Sequence, residues 1–180
     1  SYLCAGAITK GKIKVKQVNP KHLDTELKIL KKIGCNLKIG KSSIYLNVKK
    51  KLKPVKIKTG VWPLFATDNM PMLLSVLTKI KGKSEIKETI FSNRFMAGPE
   101  LERMGASIRL KDNKAKIIGT EQLIGAECIA SDLRTTFSII LGAMAAENSS
   151  SISRIYHGKR GYSNLVKNLR SIGVNIRSIS

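Results

Sequence analysis

The sequence predicts an α/β fold, of the α+β type, in which three repeated units wrap β-sheets around a central bundle of helices. The first observation is a helix-ending pattern, Leu-x-x-(Ile/Met)-Gly, that recurs with its glycines at Gly34, Gly105 and Gly173. These glycines are 71 and 68 residues apart, and such regular spacing indicates an internal repeat. The second observation is one helix per unit that is apolar on nearly all sides, which is typical of a helix in an interior.

Each unit is expected to run from a buried helix through a strand, an outer amphipathic helix and a second strand to a last strand. The outer helices end at the three glycines, because glycine readily adopts the left-handed conformation of a helix C-terminus. Pro20 and Pro99 suit the first turns of the first two outer helices. The buried helices are predicted over residues 2–8, 70–80 and 135–146.

Alternating apolar residues predict the strands. They lie over 13–18, 86–90 and 152–155 before the outer helices, at 37–39, 108–110 and 176–179 after them, and at 44–48 and 115–118 as last strands. The third unit lacks its last strand, so this unit is incomplete. We therefore expect a single domain over residues 1–180, with repeat units at about 1–58, 59–120 and 121–180.

The composition excludes several classes of protein. With 180 residues, of which 42% are hydrophobic, the chain can bury a core and is not a disordered segment. No apolar run approaches the roughly 20 residues of a membrane span. Cys4, Cys35 and Cys128 show neither CxxC spacing nor an even count, so a disulfide framework or structural zinc site is not expected. We interpret the three cysteines as small packing residues in a reducing compartment.

The positive charge is concentrated at the start of the chain. Residues 1–60 carry a net charge of +14, out of +21 for the whole chain. Such a block can be a surface for nucleic acid or for anionic lipid. The alternative is the solvated face of half-buried strands, because lysine alternates with apolar residues from Lys12 to Lys16.

Candidate site residues recur at equivalent places in the repeat. The second and third buried helices begin with Asp68 and Asp132, which can be simple helix N-caps. Helix N-termini that lie together also attract an anionic ligand. Arg134 follows Asp132 closely, and Arg94 and Arg160 occupy matching loops of units two and three. We expect the three arginines to hold a ligand and not to serve as salt-bridge partners.

The motifs around these residues resemble those of the enolpyruvyl transferases, and within them the UDP-N-acetylglucosamine 1-carboxyvinyltransferases. The resemblance covers essentially the whole chain and rests on five segments. They are Thr67-Asp68, the segment from Glu88 to Met96 (ETIFSNRFM), the segment from Pro99 to Ala106 (PELERMGA), Ser131-Asp132-Leu133-Arg134, and the segment from Arg154 to Tyr162 (RIYHGKRGY).

This resemblance implies an inside-out α/β barrel domain and a reaction. The enolpyruvyl group of phosphoenolpyruvate moves to the 3'-hydroxyl of UDP-N-acetylglucosamine, in the cytoplasm, at the start of peptidoglycan synthesis. No metal or organic cofactor, no nucleic acid and no membrane is implied. The family has two such domains, and this chain resembles the C-terminal portion. The partner domain, with a mobile loop whose cysteine or aspartate takes part in the chemistry and is the target of fosfomycin, is expected outside this chain, as is a short N-terminal segment.

The resemblance also implies roles for individual residues. Asp68 matches the sugar-binding aspartate that can act as the base, and Asp132 matches an aspartate that supports the arginine cluster. Ile90 and Phe91 match the segment that lines the nucleotide-sugar site. The arginines that match those holding the carboxylate, the phosphate or the closed state are Arg94, Arg134 and Arg160. Lys159 stands where an acid is often found before the last of these.

Three alternatives remain open at the level of sequence. The sister enzyme that uses shikimate 3-phosphate shares the fold and the reaction type, although the ETIFSNRFM segment argues against it. A basic, non-catalytic RNA-binding module would show a steep fall of affinity with salt. An inert, truncated remnant would show no activity in any context.

Overall fold

A computed structural model describes residues 1–179 and has the predicted layout of sheets around buried helices. The seven helices of these residues are α1 (Tyr2–Ile8), α2 (Asp24–Lys32), α3 (Met70–Thr78), α4 (Ala97–Arg103), α5 (Leu133–Met144), α6 (Tyr156–Lys159) and α7 (Leu165–Ser171). Short 3₁₀ turns at Pro20–Leu23 and Thr67–Asn69 precede α2 and α3. The predicted buried helices are thus confirmed, although the second ends two residues earlier than expected and the third both begins and ends two residues earlier.

The strands form one three-stranded sheet, one four-stranded sheet and two pairs. They are β1 (Lys12–Lys16), β2 (Asn36–Ile39), β3 (Ser43–Asn47), β4 (Lys56–Lys58), β5 (Lys83–Lys87), β6 (Ser107–Lys111), β7 (Lys114–Ile118), β8 (Leu123–Ile124), β9 (Glu127–Ile129), β10 (Ala146–Glu147) and β11 (Ser151–Ser153). The antiparallel orders β1-β3-β2 and β5-β7-β6 are equivalent in the first two units. Four strands were not predicted from the sequence, namely β4, β8, β9 and β10. β4 pairs in parallel with β5, β9 with β11, and β8 with β10.

The strand predicted at residues 176–179 is wrong for the residues that the structure describes, because 174–179 form no strand. The physical reason lies in the sheet order. In the second unit the corresponding strand β6 bonds only to β7, the last strand of that unit. The third unit has no counterpart of β7 among residues 1–179, so its residues have no ladder to join. Ser180 lies outside the described residues.

The core is formed where α1, α3 and α5 pack against one another. Every residue of α3 is buried, as the all-round apolar pattern predicts. Two buried hydroxyls cross the contact between α3 and α5, with 2.6 Å between the Oγ atoms of Ser75 and Ser138. Phe137 of α5 stacks on Tyr162 with ring centroids 4.5 Å apart. The central helices are therefore held in one relative position by apolar packing and by satisfied polar groups.

The three repeat glycines end the outer helices as predicted. Their φ angles are +106° at Gly34, +86° at Gly105 and +92° at Gly173, in the region that favours glycine. In each case the following amide donates back to the carbonyl of a residue in the last turn, as in Cys35 to Leu30. No helix within residues 1–179 is long and apolar enough to cross a membrane.

Candidate functional site

An ion cluster lies where the N-termini of α3 and α5 come together. Arg134 donates from Nε to Oδ1 of Asp68 over 2.6 Å, and Nη2 of Arg94 lies 3.4 Å from the same oxygen. The Asp68 side chain is 59% exposed, whereas that of Arg94 is only 12% exposed. One accessible carboxylate therefore faces two guanidinium groups, a concentration of charge open to a polar ligand.

The helix packing explains why residues so distant in sequence meet. Asp68 belongs to the 3₁₀ turn that leads into α3, and Arg134 is the second residue of α5. Because Ser75 and Ser138 fix α3 against α5, the two N-terminal ends lie side by side. The hydrogen bond to Asp68 is the main cause that raises the pKa of Arg134. Both residues were predicted to lie at helix starts, and the structure brings them into contact.

The capping interpretation holds for Asp132 and not for Asp68. Asp132 accepts hydrogen bonds from the amides of Arg134 and Thr135 at 2.7 and 3.1 Å and from the Thr135 hydroxyl at 2.7 Å. Burial raises the pKa of Asp132, but these hydrogen bonds outweigh it, so the pKa lies below its ordinary value of 3.8. The N-cap of α3 has no side-chain hydrogen bond, and Asp68 binds the arginines instead.

A second carboxylate, Glu88, lies next to the cluster, and no role was predicted for it from the sequence. It is 1% exposed and accepts a hydrogen bond of 2.9 Å from the hydroxyl of Thr67. The hydroxyl oxygen of Thr67 in turn accepts a hydrogen bond of 3.1 Å from Nε of Arg94. A signal was present in the sequence: Ser84, Ile86 and Glu88 alternate as inward positions along and just beyond β5, so an acid there is buried.

Ile90 and Phe91 lie in the loop after β5 and are both exposed, with 39% and 52% of their surface open. Their backbone amides donate to Oε1 of Glu88 at 2.7 and 3.2 Å. Cζ of Arg94 lies 4.4 Å from the centre of the Phe91 ring, a cation–π contact. The loop therefore presents apolar side chains beside the ion cluster.

Arg160 is exposed and makes no ion pair within residues 1–179. It directly follows α6, whose neighbouring glycines pack tightly on the first turn of α5. A Cβ at Gly158 would lie 2.7 Å from Thr136, and one at Gly161 would lie 2.7 Å from Leu133. The structure thus places Arg160 near the same end of α5 as Arg134, but shows no contact between it and Asp68.

The expectation that the arginines do not serve as salt-bridge partners is wrong for Arg94 and Arg134. Arg94 and Arg134 each have a protein partner, Asp68, whereas Arg160 has none within the described residues. No group of three or more His, Cys, Asp or Glu side chains in residues 1–179 is arranged to hold a metal ion. The guanidinium groups of this cluster can bind an anionic ligand beside the Asp68 carboxylate, because planar guanidinium donors match carboxylate and phosphate oxygens.

The same arrangement of sheets around buried helices is found in solved structures of enolpyruvyl transferases. The enolpyruvyl transferase NikO from Streptomyces tendae superposes with a TM-score of 0.88 at 25% identity, over 98% of this chain and 42% of that one. An EPSP synthase from Acinetobacter baumannii has the same fold, with a TM-score of 0.70 at 14% identity over 98% and 42% of the two chains. The predicted inside-out α/β barrel is thereby confirmed.

The chain belongs to the EPSP synthase (3-phosphoshikimate 1-carboxyvinyltransferase) family, whose model matches residues 1–169. A UDP-N-acetylglucosamine 1-carboxyvinyltransferase from Pelagibacter ubique is 43% identical over 180 residues, which are all of this chain and 43% of that protein. One from Campylobacter lari is 45% identical over 179 residues, or 99% and 43% of the two chains. The chain thus spans less than half the length of these relatives, and its predicted resemblance to them is confirmed.

Proposed function

We propose that this chain is the C-terminal portion of an enzyme that moves the enolpyruvyl group of phosphoenolpyruvate to the 3'-hydroxyl of UDP-N-acetylglucosamine. The observation that carries the proposal is Asp68, an accessible carboxylate held between Arg94 and Arg134. The relatives that are 43–45% identical over the chain are named for this activity, whereas the superposed EPSP synthases are 14–16% identical. The proposed place is the cytoplasm, in peptidoglycan synthesis and hence in the growth, shape and division of the cell.

In this proposal Asp68 binds and orients the sugar 3'-hydroxyl. The oxygen of that hydroxyl attacks C2 of phosphoenolpyruvate while a proton is added to the methylene carbon, which gives a tetrahedral ketal. Asp68 accepts the hydroxyl proton as the oxygen forms its bond to C2. Loss of phosphate and of a proton from the former methylene carbon then completes the transfer.

The arginines are proposed to hold the negative charges of phosphoenolpyruvate. Arg94, Arg134 and Arg160 supply guanidinium groups, whose planar donors match carboxylate and phosphate oxygens. Asp132 supports Arg134 by capping the helix that carries it. Ile90 and Phe91 line the nucleotide-sugar site. No metal or organic cofactor has a part in this scheme.

The proposed domain is the whole chain, with repeat units at about 1–58, 59–120 and 121–180. A region equivalent to the rest of the relatives' chains is proposed to form the partner portion of the enzyme. That portion includes the loop that donates the proton to phosphoenolpyruvate. The 180-residue chain alone is therefore expected to be inactive, because it contributes only one of the two sides of the proposed site.

Phosphate release tests the proposal. The complete gene product that contains these residues is assayed with phosphoenolpyruvate and either UDP-N-acetylglucosamine or shikimate 3-phosphate. Release that depends on UDP-N-acetylglucosamine supports the proposal, and release only with shikimate 3-phosphate assigns the chain to the sister activity. Phosphate release by the 180-residue chain, free of host enzyme, would contradict the proposal that the partner portion is needed for activity.

A further inference from the structure

Glu88 is a buried acid to which neither the fold nor the proposed chemistry has so far assigned a purpose. It is 1% exposed and accepts three hydrogen bonds, from the Thr67 hydroxyl and from the amides of Ile90 and Phe91. A buried carboxylate is costly unless its oxygens are satisfied, and here both oxygens are used. Its partners all belong to the segments that carry the proposed site.

The hydroxyl of Thr67 connects Glu88 to Arg94 through two hydrogen bonds. A threonine hydroxyl has a single hydrogen, and at 2.9 Å the Oε2 of Glu88 accepts it. The lone pairs of the same oxygen are therefore free to accept from Nε of Arg94 at 3.1 Å. An apolar group in place of Glu88 would leave the hydrogen of the Thr67 hydroxyl without this acceptor.

Arg94 is thus held on three sides. Thr67 binds its Nε, the Phe91 ring lies 4.4 Å from its Cζ, and Asp68 lies 3.4 Å from Nη2. The side chain is 12% exposed, so the guanidinium group cannot turn freely toward solvent. Two of these three contacts depend on groups that Glu88 binds directly.

The loop itself is fixed by the same carboxylate. Oε1 of Glu88 takes the amide hydrogens of Ile90 and Phe91, as an N-terminal cap does. The carbonyl oxygen of Ile90 accepts no hydrogen bond within residues 1–179. The backbone of Ile90 therefore offers a ligand an acceptor and not a donor.

We propose that Glu88 is a positioning residue, which sets the direction of the Arg94 guanidinium group through Thr67 and the shape of the ligand-binding loop through two amides. This inference rests on the proposed function, because it assigns Arg94 to the binding of substrate. Glu88 touches no substrate in this scheme. Its effect on rate passes entirely through Arg94 and the loop.

A double-mutant cycle tests the connection to Arg94. In the complete gene product, Thr67→Val removes the hydroxyl at constant shape, and we expect kcat/KM for phosphoenolpyruvate to fall about tenfold, within the range of coupling between contacting residues. Arg94→Lys has no Nε for Thr67 to bind. In the Arg94→Lys background we therefore expect Thr67→Val to change kcat/KM by less than about twofold, because the hydrogen bond between Thr67 and Nε of Arg94 is already absent.

Two further variants separate positioning from a general loss of stability. Thr67→Ser keeps the hydroxyl and should recover most of the rate that Thr67→Val loses. Thr89 lies in the same loop as Ile90 and Phe91 and makes no hydrogen bond to Arg94. Thr89→Val removes the hydrogen bond of 2.7 Å from its hydroxyl to the carbonyl oxygen of Thr59. It is the matched control, and its effect should be the same with or without Arg94→Lys. If Thr67→Val does not fold, Glu88→Gln takes its place in the cycle.

The outcomes distinguish the two proposals. No phosphate release by the wild-type protein would overturn the proposed function and this inference with it. If the wild-type protein is active but Thr67→Val lowers kcat/KM by the same factor with Arg94 present and in the Arg94→Lys background, the inference alone is overturned. Failure of Thr67→Ser to recover activity would do the same, since a hydroxyl would then not be the group that matters.

Discussion

Nε of Arg134 lies 2.6 Å from Oδ1 of Asp68, although the two residues are 66 positions apart in the chain. The contact joins the N-terminal ends of two buried helices from different repeat units. It leaves the Asp68 carboxylate more than half exposed, so the acid is held in place and yet open to a ligand.

Asp68→Asn should reduce turnover of the complete enzyme by roughly 10²–10⁴-fold, the range for loss of a general base. Stability should change little, by about 1 kcal/mol or less, because partly exposed ion pairs contribute little. Steady-state kinetics and urea unfolding measure the two effects. Turnover within a few-fold of wild type would remove Asp68 from the reaction.

Asp132→Ala should lower the free energy of unfolding by about 1–2 kcal/mol, because it removes the side-chain cap of α5. Asp68→Ala is the matched control, since Asp68 precedes a buried helix without capping it. An equal loss in both variants would show that the cap is not the source of the stability.

The stabilisation by Asp132 should also depend on pH. Its pKa is lower in the folded chain than the ordinary value of 3.8, so the charged form favours folding. The stability difference between wild type and Asp132→Asn should be constant above the ordinary pKa and decline as the pH falls through the folded pKa. Unfolding measured from pH 6 down to pH 2.5 checks this sign, and a difference that grew on acidification would contradict it.

None of the three cysteines should form an adduct with fosfomycin. Burial is the largest cause that raises the pKa of Cys35 to about 12, that of Cys128 to about 11, and that of Cys4 above its ordinary value. The reactive thiolate is therefore scarce at neutral pH. Mass spectrometry of native and urea-unfolded chain treated with a thiol reagent provides the control, since all three should react only when unfolded.

Lys114→Glu should raise the free energy of unfolding by about 0.5 kcal/mol at low salt, because like charges opposite each other on neighbouring strands are destabilising. Lys58, Lys87, Lys114 and Lys111 lie side by side across β4, β5, β7 and β6. The gain should shrink as salt screens the charges. Lys12→Glu is the control, since Asn47 is its cross-strand neighbour. An equal, salt-independent gain in both variants would argue against the row of lysines as the cause.

The local sequence was sufficient to predict the buried helices, the outer helices that end at the repeat glycines, and the order along the chain of the antiparallel strands in the first two units. Apolar periodicity marked α3 as buried on all sides, and glycine at position 34 marked the end of α2, because both signals depend only on residues within a few turns. The repeat then predicted that helices of the same character would share one interior. The helix starts that carry Asp68 and Arg134 were found in the same way.

Only the tertiary structure decided which of these residues meet. Asp68 and Asp132 occupy similar positions at helix starts, yet one caps its helix and the other binds two arginines, because the packing of α3 on α5 sets which donors each carboxylate can reach. The strand predicted at 176–179 fails for a related reason, since strand formation needs a neighbour that local pattern does not supply. Glu88 belongs with these cases: its alternation with Ile86 is a local feature, but its connection to Arg94 through Thr67 joins two segments 27 residues apart, and only the folded chain brings them together.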